Sequence, residues 1–331
     1  MVAMPSLNSP NPRRIFMLGA TGTIGRATVA ALVGRGHQVV CFVRPDTAQR
    51  SPLPDGAIRR FGEVADPASL ARDGFAGERF DAIVSCLASR TGTPASASAI
   101  DHKAHSDALA AGRQAGVRQM VLLSAICVQK PLLPFQQAKL AFEKELAASD
   151  LTWSIVRATA FFKSLSGQIN RLKNGKPFLL FGDGQGTSCK PISNADLAAY
   201  LADCLDDPAL QNRILPIGGP GPAITPRQQG EALFRLLNLP PKFRQVPIGF
   251  FDGIIAVLDG LGRLSPRLKD KAELARIGRY YATESMLVLN PATGRYDADA
   301  TPSTGTETLF HHYARLIREE ISDDRGEHAV F

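Results

Sequence analysis

No two cysteines in this chain stand two residues apart. The five present, Cys41, Cys86, Cys127, Cys189 and Cys204, therefore fit neither an iron–sulfur nor a structural zinc pattern. The six histidines show no ligand spacing either, so no metal site is expected. Aromatic residues make up only 7%, and no Lys/Arg-rich block stands out. That argues against a nucleic-acid partner. A net charge of +7 suits an anionic small molecule, a phosphate-bearing cofactor or an acidic membrane surface instead. Long apolar runs are missing too. The longest, IGFFDGIIAVLDGLGRL at 248–264, is interrupted by Asp252 and Asp259 and is too short to span a bilayer. It predicts a buried helix, with peripheral contact to a membrane or pigment as the second reading. The start, MVAMPSLNSPNP, has no apolar core and too little Arg for a transit peptide. With thiols that read as free and buried, that start predicts a cytoplasmic protein.

What is present is an α/β pattern. Hydrophobic residues make up 44% of 331, enough for a sizeable core. Short apolar runs alternate with helical periods through the first half: RRIFMLG, QVVCFVR, AIRRFGE, FDAIVSCLA, VRQMVLLSA and LTWSIVRAT read as strands. Helices are expected between them, one of them, DPASLARDGF, capped by Asp66. The pattern predicts a Rossmann-type, doubly wound parallel sheet over 13–158. Beyond it the alternation becomes irregular. Residues 159–331 are expected to form a smaller substrate-binding region that returns in part to the first core.

GATGTIG lies between the first strand and the first helix. Gly19 permits the tight turn, Gly22 lets a pyrophosphate approach the backbone, and Gly25 allows close helix–sheet packing. Thr21, Thr23 and Ile24 share this turn, whose helix offers free N–H groups and a positive end. The second strand ends in Arg44, where an acid would bond the ribose of NAD; a guanidinium there favours NADPH. Glu63 and Val64 fall where adenine is met, and Cys86, Leu87 and Ala88 where the nicotinamide ribose lies.

The stretch SAICVQKPLLPFQQAK holds Ser124 and Lys139 of a familiar dehydrogenase triad, but Phe135 replaces the tyrosine four residues before the lysine. Without that phenol, ketone reduction loses its acid. Lys139 still suits the nicotinamide ribose. Two readings remain open: a binding protein without catalysis, or a reductase of a carbon–carbon double bond whose substrate absorbs the negative charge.

SCLASR (85–90), LLSAICVQKPLLPFQQAKLAFEKEL (122–146), AFFKSL (160–165), CKPISNADLA (189–198), LPIGGPG (215–221) and IGRYYATESML (277–287) resemble the NADPH-dependent divinyl chlorophyllide 8-vinyl reductases, atypical short-chain dehydrogenases. The resemblance extends from about residue 13 to the terminal EHAVF. It implies reduction of the 8-vinyl group of a divinyl chlorophyllide or protochlorophyllide to ethyl, in chlorophyll or bacteriochlorophyll biosynthesis. One departure is Ala158, where the family has proline. Lacking a transit peptide, the chain is expected to be bacterial. An isoflavone-reductase-type enzyme or a non-catalytic NADP-binding regulator stands as the alternative.

Hydride at the terminal vinyl carbon would leave charge that the macrocycle delocalises, and a proton must then reach the inner carbon. Lys139, Cys127, Tyr280 and Tyr281 are the candidate donors, with Ser124 beside them. For the flat apolar substrate, Phe135, Phe161, Phe162 and Leu165 are candidate walls. Arg157, Lys163 and Lys190 are candidates to pair with its propionate.

Overall fold

The computed structural model describes residues 11–47, 52–262 and 265–322. Most of the segment read for a leader, and the EHAVF terminus, lie outside them. In chain order the strands are β1 (Arg14–Leu18), β2 (Gln38–Val43), β3 (Ile58–Phe61), β4 (Ala82–Ser85), β5 (Gln119–Ala125), β6 (Thr152–Ala158), β7 (Phe178–Phe181), β8 (Arg213–Ile217), β9 (Phe243–Val246), β10 (Val288–Leu289) and β11 (Tyr296–Asp297). The helices are α1 (Thr23–Gly34), α2 (Pro67–Ser69), α3 (Pro94–Ser96), α4 (Ala104–Gln114), α5 (Pro134–Ala147), α6 (Phe162–Leu165), α7 (Ile169–Lys173), α8 (Asn194–Asp206), α9 (Pro226–Leu236), α10 (Gly249–Gly262), α11 (Pro266–Thr283) and α12 (Leu309–Ile317).

Among the described residues, seven strands pair in the order β3-β2-β1-β4-β5-β6-β8, every neighbouring pair parallel. The six expected strands are all present, and the seventh comes from the second half of the chain. Parallel strands covered on both faces must be apolar along their length, and β1, β2, β4 and β5 are. One face is closed by α1 and α8, with Val29, Leu32, Leu197 and Leu201 in a single cluster with Ile15, Val39 and Val84. The other is closed by α4 and α5, through Ala108, Leu109, Phe142 and Leu146 against Phe16, Val40 and Ile83. The order reverses between β1 and β4, and the crevice at the strand ends beside that reversal is where such sheets take a dinucleotide.

Asp66 caps α2 as expected, accepting from the Ala68 N–H at 3.0 Å. Two helical stretches are wider than α-helices. Leu70–Phe75 and Ala97–Lys103 are π-helical, and the second leads into α4. The second half has a separate cluster, including Phe162, Phe178, Leu180, Phe234, Tyr280 and Tyr313. Around it lie the β7–β9 pair, the β10–β11 pair and the α10–α11 hairpin.

The expected burial of 248–264 is overturned. Of α10, Phe251 and Gly262 are buried, while Phe250 is 57% and Val257 60% exposed. The helix packs mainly on α11, to which Asp252 and Asp259 bind through Arg279 and Arg276 at 2.6 and 2.5 Å, and Phe251 also meets Phe181 of β7, ring centroids 4.8 Å apart. These contacts cover one stripe of the helix, and the apolar stripe beside it stays at the surface. No helix among the described residues is long and apolar enough to cross a membrane.

Candidate active site

The glycine turn follows from steric necessity at two positions and open space at a third. Gly19 has φ +73°, and a Cβ there would lie 2.5 Å from the Cys86 carbonyl carbon. A Cβ on Gly25 would lie 2.0 Å from the Gly19 oxygen. Neither position admits a side chain while α1 packs on β1 and β4. A Cβ on Gly22 meets nothing nearer than 3.6 Å, so that position faces free space in front of the helix. The first turn of α1 has no acidic side chain and no side-chain cap. Its N–H groups are left for a ligand. Thr23 Oγ1, at the first helical position, is a buried hydroxyl with no hydrogen-bond partner among the described residues. This cradle fits a dinucleotide pyrophosphate.

Gly22, Thr23, Ile24 and Gly25 open onto a cavity of about 740 Å³. Cys86, Leu87, Ala88, Ser124, Cys127, Phe135, Lys139, Phe161, Lys163 and Tyr281 also line it. Thr21 does not; its carbonyl accepts from Arg26 at 3.1 Å. Arg44 and Glu63 are exposed beyond the ends of β2 and β3, and Val64 packs against the core beneath.

Lys139 is held by a residue the sequence did not point to. Its Nζ lies 2.9 Å from Asp101 Oδ1. Asp101 is fully buried on the π-helical segment and accepts the Ser89 N–H with the same oxygen. One turn further on, His105 gives Nδ1–H to the Ile100 carbonyl at 2.9 Å. Its Nε2 therefore accepts from Ser85 Oγ at 2.8 Å. Ser85 Oγ in turn receives the Leu87 N–H, which fixes the loop after β4. Burial first, then the Lys139 charge, pushes the His105 ring down to about 4, so it is neutral here.

Several expected roles fall away on geometry. Ser124 donates its hydroxyl to Glu143, and Glu143 also binds Arg157. Arg157 is thus the counter-ion of a buried carboxylate at the ends of β5 and β6, not a group offered to a substrate. Lys190 Nζ donates to the Thr301 carbonyl at 2.9 Å and ties down the segment after β11, away from the cavity wall. Phe162 is buried in the second-half core, its ring 5.1 Å from that of His312, while Phe161 reaches the cavity. Tyr280 donates to the Cys127 and Lys130 carbonyls at 2.9 and 3.1 Å, which occupies its proton.

Phe135, Cys127 and Tyr281 stand together on the apolar wall. Tyr281 as a residue is 37% exposed, but its hydroxyl lies 3.9 Å from Cys127 Sγ. Burial holds both the thiol and the phenol above their ordinary ranges, so both keep their protons. The cysteines are free, and Cys41, Cys127, Cys189 and Cys204 are buried as expected.

A seven-stranded parallel sheet with an open glycine turn at its reversal point defines a nicotinamide-dinucleotide-binding protein. The family described as NAD(P)H-binding matches residues 19–208. The divinyl chlorophyllide a 8-vinyl-reductase of maize (Zea mays) is 49% identical over 96% of this chain and 82% of its own length. That of rice (Oryza sativa subsp. indica) is 48% identical over 98% of this chain and 83% of its own. The NADPH complex of the Escherichia coli quinone oxidoreductase QOR2 shares the fold, with a TM-score of 0.63 at 20% identity, over 92% of this chain and 99% of that one. The chain belongs to the NAD(P)H-binding family and, within it, to the divinyl chlorophyllide a 8-vinyl-reductases. Both plant relatives are chloroplastic. That overturns the expectation of a cytoplasmic, bacterial protein, which rested on the polar first residues and on free, buried thiols.

Proposed function

We propose that this chain reduces the 8-vinyl group of a 3,8-divinyl chlorophyllide or protochlorophyllide to ethyl, with NADPH as reductant. The observation that carries this reading is one continuous cavity. It joins the glycine turn to a broad apolar wall, and Phe135 stands in that wall where a ketone reductase needs its acid. Membership of the reductase family supplies the substrate class. Arg44 at the end of β2 supports NADPH over NADH, because a guanidinium pairs with a 2′-phosphate.

NADPH, when bound, supplies the hydride. The chain's own residues then have three tasks. Gly22, Thr23 and the first turn of α1 would hold the pyrophosphate. Lys139, fixed by Asp101, would hold the nicotinamide ribose. Tyr281 would give the proton to carbon. Among the described residues its hydroxyl has no hydrogen-bond partner nearer than the Cys127 sulfur at 3.9 Å, so it can turn to a substrate. Its raised pKa keeps the proton in place but makes the phenol a weak acid. The developing carbanion must therefore be the stronger base, and conjugation with the macrocycle sets how strong it is.

The test is incubation of the protein with NADPH and divinyl chlorophyllide, following the blue shift of the Soret band. No shift overturns the reading. Tyr281→Phe is expected to slow single-turnover protonation by about 100-fold or more. Cys127→Ser should change it by less than about threefold. A wild-type rate in Tyr281→Phe removes Tyr281 as the donor, and wild-type rates on removal of each of Lys139, Cys127, Tyr280 and Tyr281 assign the proton to solvent.

A further inference from the structure

With Arg157 and Lys190 committed elsewhere, the substrate's carboxylate needs another partner. Four cationic side chains line the cavity among the described residues: Arg90, Lys139, Lys163 and Arg171. Lys139 is paired with Asp101, and Arg90 follows the cofactor-side loop after β4. The vinyl group at ring position eight and the propionate hang from opposite rings of the macrocycle. A substrate that presents its vinyl to the nicotinamide therefore points its carboxylate away from the glycine turn. α6, α7 and β7 pack in the second-half cluster, separate from the cluster that holds Ile24 of the glycine turn, and bring Lys163 and Arg171 to the cavity wall.

We infer that Arg171 is the residue that recognises the substrate's carboxylate and so selects the free acid over its ester. This rests on the vinyl-reductase reading and extends it to a specificity-determining residue. Arg171 Nε donates to the Pro177 carbonyl at 2.7 Å, which fixes the plane of the guanidinium. No ion pair engages that guanidinium among the described residues, so its terminal N–H groups remain for a ligand. A guanidinium oriented through Nε presents those two nitrogens as a fork that matches a carboxylate. The support beneath it is also fixed. Gln168, just before α7, donates Nε2–H to the Leu179 carbonyl and accepts the Leu179 N–H, at 3.0 and 2.7 Å. Repulsion of an anion is weakened here by pairing. The carboxylates on the cavity wall, Asp101 and Glu284, already hold Lys139 and Lys130. Lys163 adds positive charge on the same wall but lacks the fork.

The test is the ratio of kcat/KM for divinyl chlorophyllide to that for its methyl ester, in wild type, Arg171→Gln and Arg171→Lys. The wild type is expected to favour the acid about 10- to 100-fold. Arg171→Gln should bring the ratio near unity by slowing the acid and sparing the ester. Arg171→Lys should keep part of the preference, because charge survives and the fork does not. NADPH affinity should be unchanged in both variants, which verifies that they fold. If Arg171→Gln fails that check, a fall in the ratio for Arg171→Lys is the required result. A wild type that turns over acid and ester alike, or variants that keep the wild-type ratio, overturn the assignment while vinyl reduction stands. A wild type that reduces neither overturns the reduction itself.

Discussion

The cofactor end of the cavity is made of backbone, and the substrate end is made of side chains brought from distant parts of the chain. At the first, Gly19, Gly22 and Gly25 shape the site by what they lack, within seven consecutive residues. At the second, Phe135, Phe161, Arg171 and Tyr281 arrive from four different segments. At Gly19 and Gly25 a side chain would enter space that the chain itself occupies, and at Gly22 the space left for a ligand. A side-chain site can be altered one group at a time. Cofactor binding and substrate choice should therefore respond to mutation in different ways.

The largest effect should come from breaking the cofactor end. Gly25→Ala places a Cβ 2.0 Å from the Gly19 oxygen and is expected to cost more than about 5 kcal/mol, leaving no folded protein. Gly22→Ala has room, so its stability in urea should change by less than about 1 kcal/mol. It should still weaken NADPH binding by about tenfold or more, as its methyl group stands where the pyrophosphate approaches. Equal stability of the two alanine variants in urea would break the distinction between packing glycine and ligand glycine.

The next effect concerns the joint between the two ends. Lys139→Met leaves the Asp101 carboxylate buried without its cation and should cost about 3–5 kcal/mol. The double variant Lys139→Met, Asp101→Asn should recover much of that stability while remaining poor in NADPH affinity. If the double variant is no more stable than the single, Asp101 is not the partner that matters.

The smallest effect is a pH dependence. The His105 ring is neutral in the folded chain down to about 4, against 6.5 when unfolded. In that window the unfolded chain binds the extra proton, so stability falls as pH drops, by at most about 3 kcal/mol. His37, also pushed down by burial, adds to the same slope. His105→Gln should flatten the decline in urea midpoint without abolishing it. An unchanged slope would sink this account.

The sheet and the glycine turn were legible because each is written in contiguous residues. Strand periodicity and the strand–glycine–helix order are local signals. The substrate end was legible only as a list of residue types. Sequence shows that Arg157 and Lys190 are cationic, but it does not show that Glu143 and the Thr301 carbonyl already hold them. Asp101 was invisible for a related reason. It sits in a stretch that reads as ordinary helix, and the wider π-helical turn that carries it has no compositional mark. The α10 stripe misled because apolar periodicity reports which residues could be covered, not whether a neighbour exists to cover them.

The seventh strand has a consequence for synthesis. β8 pairs with β6, and α8 closes the face of the sheet that α1 begins to cover. A chain emerging in order from its amino end thus exposes the unpaired edge of β6, and the apolar surface of Leu32 and Val29 lacks its cover. Both persist until about sixty further residues have appeared, at about 5–20 residues per second. For several seconds the nascent first half presents an open sheet edge and a half-clothed core to its surroundings. The second half of the chain thus completes the sheet that carries the glycine turn. A cell that makes this chain has to protect that interval.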